Sequence, residues 1–160
     1  MSRNQAAFER EIEEYYDLYQ QVNNAGKATE VDIDALLELV DLPYAELRTG
    51  APLIVRSTRG AAESHFREGF KALDASGYGP LEIPHKKMWP LGPDLALLSV
   101  DYVRRNLGGG EPLSGRVLYF LRNESGRWKY VFYVYLEPGY EGPDPTPASG
   151  GSAFTGLKAP

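Results

Sequence analysis

Residues 95–137 decide the fold of this chain, and their sequence is LALLSVDYVRRNLGGGEPLSGRVLYFLRNESGRWKYVFYVYLE. Three runs in it, Leu95 to Arg105, Ser114 to Arg122 and Trp128 to Glu137, are rich in the β-branched and aromatic residues that favour strands. Gly108 to Gly110 and Asn123 to Gly126 separate the runs and have the composition of tight turns. Three long strands joined by short turns predict an antiparallel meander.

The chain before this meander has helical periodicity. Five apolar residues lie three or four positions apart and predict a helix over residues 2–24: Phe8, Ile12, Tyr15, Tyr19 and Val22. A shorter helix is expected from Ile33 to Val40, with Asp32 as its N-cap. A third helix is expected from Ala61 to Ala75.

Two short strands are expected between the helices and the meander. Leu53 to Val55 is a brief apolar run, and Leu81 to Met88 alternates loosely between apolar and polar residues. Pro84 cannot donate to a strand ladder, so the second run is expected at a sheet edge or as an interrupted strand. Helices first and strands later predict the α+β class, with three N-terminal helices against one antiparallel sheet.

The last part of the chain differs in composition. Residues 138–160 contain five prolines and five glycines among 23 residues. Such a segment buries too little apolar surface to form a core, so we expect an extended or disordered tail. The predicted organisation is one folded domain over residues 1–137, followed by this tail.

The charge and the apolar pattern exclude some partners. The chain has 17 Lys and Arg against 22 Asp and Glu, a net charge of −5, and this acidic balance gives no reason to expect a nucleic-acid partner. No apolar run approaches the roughly 18 residues that a membrane-spanning helix needs. Residues 1–13 are charged and lack an apolar signal region, so we expect a cytoplasmic protein.

The residue inventory also excludes several chemistries. With no cysteine there is no thiol nucleophile and no thiolate metal site, and two histidines are too few for a histidine-rich metal cluster. No glycine-rich phosphate loop precedes a helix, since Gly108 to Gly110 is followed by a strand. We therefore expect neither a metal nor a cofactor.

Four segments, in their order along the chain, resemble landmarks of the nuclear transport factor 2-like superfamily, also called SnoaL-like or cystatin-like. They are Tyr19 to Gly26, Asp34 to Leu39 with Pro43, Leu91 to Val100, and Gly126 to Lys129. The resemblance covers about residues 5–137 and implies a curved sheet wrapped around the helices as a cone. It also implies a pocket inside the cone, where the chemistry is usually acid–base and cofactor-free. The superfamily includes isomerases, cyclases, dehydratases, epoxide hydrolases and binding modules, so the resemblance implies no single reaction.

Asp101 and His85 are the candidate catalytic residues. An aspartate in the middle of a strand is unfavourable by propensity, so Asp101 needs a specific role. Inside a pocket it would be a base or an acid of raised pKa, whereas on the outer face it would pair with Arg116 or Lys129. If the odd positions of its strand point inward, His85 is a candidate general base, and otherwise it lies at the rim.

Three tyrosines and a tryptophan are the candidate substrate-binding residues. Tyr15 and Tyr19 lie on the first helix, Tyr119 lies on a strand of the meander, and Trp89 follows the edge strand. Several hydroxyls that converge inside a cone would bind a carbonyl or enolate oxygen. The alternative is that the tyrosines form core and dimer surface, where each buried hydroxyl still needs a partner.

Ketosteroid isomerase, a member of the superfamily, allows a closer comparison. It uses a tyrosine on the first helix, which Tyr19 resembles in position. It also uses a carboxylate base shortly after the second helix, for which Glu46 is the nearest equivalent here. The strand aspartic acid of that enzyme has no counterpart in the segment Gly115 to Tyr119. The resemblance therefore does not imply steroid isomerisation for this chain.

Two functions remain open from the sequence. One is a cofactor-free isomerase, cyclase, dehydratase or hydrolase that acts on a small apolar oxygenated molecule in the cone pocket. The alternative is a non-catalytic module that uses the same cone to bind a ligand or a protein. The strand from Trp128 to Glu137 is apolar or aromatic on both faces, so we also expect a homodimer through the outer face of the sheet.

Overall fold

The computed structural model describes residues 5–24 and 31–137, which form three helices and one six-stranded sheet. In chain order the elements are α1 (Gln5–Asn23), α2 (Ile33–Leu37), β1 (Val40–Arg48), β2 (Ile54–Arg56), α3 (Arg59–Ala75), β3 (Tyr78–Pro90), β4 (Leu95–Asn106), β5 (Leu113–Glu124) and β6 (Arg127–Leu136). This arrangement confirms the predicted α+β cone. The predicted tail, residues 138–160, lies outside the described residues.

The strands lie in the order β2-β1-β6-β5-β4-β3. β3, β4, β5 and β6 are antiparallel neighbours, as the turn composition between them predicts. The sheet is nevertheless mixed, because β1 lies parallel to β6 and adds β2 as an antiparallel edge strand. The prediction of a purely antiparallel sheet is therefore wrong at this one pair.

The helices follow their sequence signals at the N-termini. Asp32 caps α2 by accepting a 3.0 Å hydrogen bond from the amide of Ala35, and Thr58 caps α3 by accepting one of 3.2 Å from Ala61. α2 ends at Leu37 rather than at Val40 as predicted, because Val40 begins β1 opposite Tyr130. Strand pairing with a distant segment thus overrides the local helical pattern.

The apolar stripe of α1 packs on the concave face of the sheet. Phe8 and Ile12 are buried, and the ring of Phe8 meets that of Trp128 edge to face at 5.7 Å. The C-terminal end of α1 is attached to β3 by Asn24. Its side-chain oxygen accepts a 2.7 Å hydrogen bond from the backbone N–H of Leu81, and its side-chain nitrogen donates one of 2.8 Å to the Leu81 carbonyl. These contacts position α1 as one wall of the interior of the cone.

The pairing of β3 with β4 contains an irregularity that matters for the site. Leu81 lies opposite Arg104 and Glu82 opposite Val103, but His85 lies opposite Asp101. One extra residue is thus accommodated in β3 between Glu82 and His85, which is the signature of a β-bulge. Side chains of β3 that follow the bulge therefore point to the opposite face from the one that simple alternation predicts.

Two further observations concern the described residues alone. Within residues 5–24 and 31–137, no helix is long and apolar enough to cross a membrane. The same part of the chain contains no group of three or more histidine, aspartate or glutamate side chains placed to hold a metal ion.

Candidate functional site

A cavity of about 460 Å³ lies between the concave face of the sheet and helices α1 and α3. Its wall is rich in aromatic residues and includes seven tyrosines: Tyr16, Tyr19, Tyr102, Tyr119, Tyr130, Tyr133 and Tyr135. The charged or titratable residues in the wall, apart from these tyrosines, are Arg48, Arg104 and His65. A mainly apolar cavity with a few polar groups is the ordinary form of a small-molecule site.

The tyrosine hydroxyls form an interacting group at the α1 side of the cavity. Tyr119 lies at the centre of it, with its ring 6.1 Å from the rings of both Tyr16 and Tyr19. Burial, the largest cause in each case, raises the pKa of Tyr16 and Tyr119 well above 10.0. It also raises the pKa of Tyr19. These hydroxyls are therefore neutral at physiological pH and available as hydrogen-bond donors.

Glu46 is the centre of a second polar group, at the β1 side. It is almost fully buried, accepts a 2.6 Å hydrogen bond from the Tyr133 hydroxyl, and is hydrogen-bonded by Arg48. Arg56 Nη1 lies 3.1 Å from Glu46 Oε2, an ion-pair contact without hydrogen-bond geometry. Burial opposes ionisation of Glu46, but the bonds from Tyr133 and Arg48 outweigh it and lower the pKa of the carboxyl. Glu46 is thus an ionised, fully engaged carboxylate.

His65 connects this group to α3. Its Nδ1 lies 2.9 Å from Arg56 Nη2, and its Nε2 lies 3.3 Å from the Tyr133 hydroxyl. Because a guanidinium only donates, Nδ1 accepts and the proton of a neutral imidazole resides on Nε2. Burial, followed by the positive charge of Arg56, lowers the pKa of His65. The result is a directed chain from Arg56 through neutral His65 and Tyr133 to Glu46.

Arg104, on β4, also lies in the cavity wall, and its contacts differ from those of Arg48 and Arg56. Arg104 is only 7% exposed. Within the described residues it donates one hydrogen bond, from Nη1 to the Gly79 carbonyl at 3.0 Å. No carboxylate of residues 5–24 and 31–137 forms an ion pair with it. Burial is the main cause that lowers the pKa of its guanidinium. The cavity therefore contains a buried cation without a counter-ion from the described chain.

A glycine in β5 makes room for one of the wall residues. The ring of Tyr102 lies across Gly115, where an added Cβ would meet the Tyr102 hydroxyl oxygen at 3.0 Å. Tyr102 also meets the ring of Tyr135 edge to face at 6.3 Å, and Arg48 lies 4.1 Å above the ring of Tyr135. The missing side chain at Gly115 thus lets an aromatic ring lie flat against a strand at the cavity wall.

The structure places two of the predicted substrate-binding residues in the cavity and two outside it. Tyr19 and Tyr119 line the wall. Tyr15 is buried behind the wall, where its hydroxyl donates to the Leu39 carbonyl at 3.0 Å. Trp89 lies opposite Leu97 on the outer face of the sheet, with the Lys87 ammonium 5.5 Å from its ring.

The two predicted catalytic residues lie together, but not in the cavity. Val100 and Tyr102 line it, so Asp101 between them points to the outer face of the sheet. There Asp101 accepts two hydrogen bonds from Arg116, at 2.7 and 3.3 Å, and His85 Nδ1 lies 3.4 Å from its carboxylate. The expectation that they face the cone interior is wrong, and the alternative pairing of Asp101 with Arg116 is observed.

The β-bulge explains the position of His85. The inward prediction assumed unbroken alternation along β3, and Leu81 does face inward. The extra residue before His85 reverses the alternation, so His85 points outward with Asp101.

Sequence analysis missed most of the polar residues of the cavity. The sequence indicates Glu46 only as the nearest counterpart of a catalytic base, and Arg48, His65 and Tyr133 have no distinctive pattern. Arg104 did carry a signal, because it lies on the same face of β4 as Leu98 and Val100, which are both buried. A charged residue on an apolar strand face needs a partner or a ligand.

Comparison with known proteins decides the family. Residues 10–138 match the family model described as NTF2-like protein (DUF6841). The chain belongs to this NTF2-like family. The match confirms the resemblance to the nuclear transport factor 2-like superfamily. No curated protein matches this NTF2-like chain.

Solved structures similar to this NTF2-like protein share its fold. An NTF2-like protein of unknown function from Pseudomonas putida KT2440 has a TM-score of 0.63 at 17% identity, covering 83% of this chain and 88% of that one. One from Shewanella oneidensis MR-1 has a TM-score of 0.62 at 14% identity, with 79% and 97% covered. A cystatin-like protein of unknown function from Nostoc punctiforme PCC 73102 has a TM-score of 0.60 at 15% identity, with 86% and 97% covered.

Proposed function

We propose that this NTF2-like protein binds a small, mainly apolar molecule with at least one oxygen function inside its cone. The observation that carries the proposal is the cavity of about 460 Å³, lined by seven tyrosines and by Arg48, Arg104 and His65. The aromatic rings supply apolar contact area, and the buried neutral hydroxyls supply donors for an oxygen atom. The cavity is within the size range of sites that enclose small ligands.

A cofactor-free acid–base enzyme is the second candidate, and the chain from Arg56 to Glu46 favours it. His65 is the wall residue with an ordinary pKa nearest to neutral pH, and it is hydrogen-bonded to Tyr133. Both of its ring nitrogens are engaged, and Glu46 is held ionised by its donors. A bound oxygen that displaces Tyr133 from His65 would accept a hydrogen bond from Nε2–H, whereas general-acid catalysis by His65 would first require Nδ1 to leave Arg56 and take up a proton. Binding is therefore the better-supported function, and catalysis requires this rearrangement.

We also propose that a second copy of the chain covers the outer face of the sheet. Leu47, Val55 and Leu95 lie on this face and are 37%, 53% and 42% exposed. The charged residues Asp101 and Arg116 pair with each other within the face, so a second copy would meet no unpaired charge at this position. Such a face is complementary to itself across a two-fold axis.

The binding function is tested by narrowing the cavity. Gly69 of α3 lies in the cavity wall, and a Cβ there meets nothing within 4 Å, so Gly69→Leu adds side-chain volume at the wall from an open position. Gly60→Leu is the matched control, since Gly60 lies on the same helix, away from the wall, and is equally open. Leucine also favours helix by about 1 kcal/mol over glycine, so neither variant should lose stability.

The measurement is a two-dimensional NMR titration with uncharged aromatic amides, ketones and phenols, together with crystal soaking. We expect shifts for residues of the cavity wall in the wild type and in Gly60→Leu, and weakened binding of at least about tenfold in Gly69→Leu. Equal binding by Gly69→Leu, or shifts confined to the outer face of the sheet, would refute a binding function for this cavity.

A further inference from the structure

The three arginines near the cavity differ in how their charges are balanced. Arg48 and Arg56 both contact the carboxylate of Glu46. Arg104 contacts no carboxylate of the described residues and has one neutral acceptor, the Gly79 carbonyl. A buried guanidinium with most of its donors unused is costly unless an anion satisfies it.

The surrounding tyrosines do not supply that anion. Tyr19, Tyr119 and Tyr135 are close enough to Arg104 to interact with its charge. Burial is the main cause that raises the pKa of each of them, so their hydroxyls stay protonated at neutral pH. They provide further donors and rings around Arg104 rather than a counter-charge.

The charge balance of the wall also limits the kind of anion. Within the described residues, the cavity wall contains Arg48 and Arg104 and no carboxylate side chain. Arg48 contacts the carboxylate of Glu46, which lies behind the wall and also pairs with Arg56, so Arg104 is the one guanidinium of the described wall without a carboxylate contact. The planar fork of this one guanidinium fits the two oxygens of a single carboxylate, so a monocarboxylate matches it.

We propose that the natural ligand is a small organic monocarboxylate, with its carboxylate on Arg104 and its apolar body among the tyrosine rings. This inference rests on the proposed binding function and narrows its ligand class. The tyrosine hydroxyls of the α1 side would donate to the carboxylate or to a further oxygen of the ligand. Affinity would come from burial of the apolar body, and selection for the acid would come from Arg104.

The test compares acids with their uncharged amides of nearly the same shape. Benzoate, 2-naphthoate and octanoate are titrated against benzamide, 2-naphthamide and octanamide by calorimetry at pH 7.5, with phenyl phosphate as a dianionic probe. We expect at least one acid to bind about tenfold or more tightly than its amide, because charge-assisted hydrogen bonds are the stronger ones. Phenyl phosphate is expected to bind more weakly than the preferred acid.

Variants at Arg104 assign the preference to that residue. Arg104→Gln is expected to remove the preference for the acid while it keeps the affinity for the amide, and Arg104→Lys is expected to keep part of the preference. Arg105→Gln is the matched control, because Arg105 is the next residue, is 73% exposed and pairs with Glu82. Its affinities should equal those of the wild type.

The outcomes separate the two proposals. Equal affinity for acids and amides, or tighter binding of phenyl phosphate, overturns the monocarboxylate inference while the binding function stands. No binding of any probe, charged or uncharged, contradicts both. If Arg104→Gln does not fold, Arg104→Lys and the wild type still test the inference. A ratio near one between the affinities of the wild type for an acid and for its amide refutes it without any variant.

Discussion

Glu46 and Arg104 show how much depends on the partners of a single buried charge. Both are charged residues on strands, and both are almost fully buried. Glu46 accepts hydrogen bonds from Tyr133 and Arg48 and forms an ion pair with Arg56, and so belongs to the framework of the cone. Arg104 retains unused donors beside the cavity and so belongs to the site. Residue type alone does not distinguish these two roles.

The framework role of Glu46 leads to a prediction on stability and its pH dependence. Glu46→Gln keeps the side-chain shape but leaves Arg48 and Arg56 without their shared counter-charge. Breaking a buried ion pair by removing one partner costs about 3 kcal/mol or more. The folded-state pKa of Glu46 lies below its ordinary value of 4.5, so its contribution is present above pH 4.5 and is lost as the pH falls through the lowered pKa.

Urea unfolding from pH 7 down to pH 3 checks this prediction. Glu46→Gln should be much less stable than the wild type at pH 7, with the difference shrinking towards pH 3. Glu82→Gln is the control, because Glu82 also bonds an arginine and also has a lowered pKa but is exposed. It should change little at any pH. A Glu46→Gln variant as stable as the control at pH 7 would mean that the Glu46 group is not part of the framework.

At the scale of elements, the attachment of α1 to β3 determines where the tyrosines of α1 lie. The side-chain amide of Asn24 pairs with the backbone of Leu81 through two hydrogen bonds, as a neighbouring strand residue would. Leu81 and Tyr19 both line the cavity, so this attachment also sets the width of the cavity at that end.

Asn24→Ala should therefore destabilise the fold by about 1 to 3 kcal/mol. It leaves the partly buried Leu81 N–H without an acceptor and removes one of the two donors to the Leu81 carbonyl, the other being Gln20. Gln21→Ala, at an exposed position of the same helix, is expected to change stability by less than about 0.5 kcal/mol. Hydrogen exchange gives a local readout: the Leu81 amide should lose protection in Asn24→Ala more than amides in the centre of β5. Unchanged protection at Leu81 would refute the anchoring role of Asn24.

The same scale shows what the sequence could predict. The three long strands and the apolar stripe of α1 were predictable, because their residues repeat with the period of their own element. β1 was not, because it depends on pairing with β6, which is distant in sequence. The bulge before His85 was not predictable either, and it reversed the face of a candidate catalytic residue. Fold could be inferred from local periodicity and resemblance, whereas the cavity residues depend on pairings between distant segments.

At the scale of the whole molecule, the two faces of the sheet carry different functions in our proposals. The concave face, with Tyr119 and Arg104, surrounds the ligand cavity. The outer face has a central apolar row formed by Leu47, Val134 and Leu118, which lie opposite one another on β1, β6 and β5. The rings of Phe120 and Phe132 meet at 5.6 Å on the same face. A second copy of the chain on this face would leave the cavity unobstructed.

The proposed dimer is tested at Leu118, in the middle of that row. The wild type should have twice the mass of one 17.8 kDa chain by light scattering coupled to gel filtration. Leu118→Glu should shift the protein to the mass of one chain, because burying an unpaired carboxylate against a second copy is unfavourable. Leu107→Glu is the control, since Leu107 is 75% exposed in the turn after β4, and it should leave the mass unchanged.

A wild type with the mass of one chain would refute the dimer. A dimeric Leu118→Glu with unaltered circular dichroism would place the contact elsewhere on the surface. Because Leu118 faces away from the cavity, the monomeric variant should still bind the ligands of the wild type, so that assembly and binding are separated in one experiment.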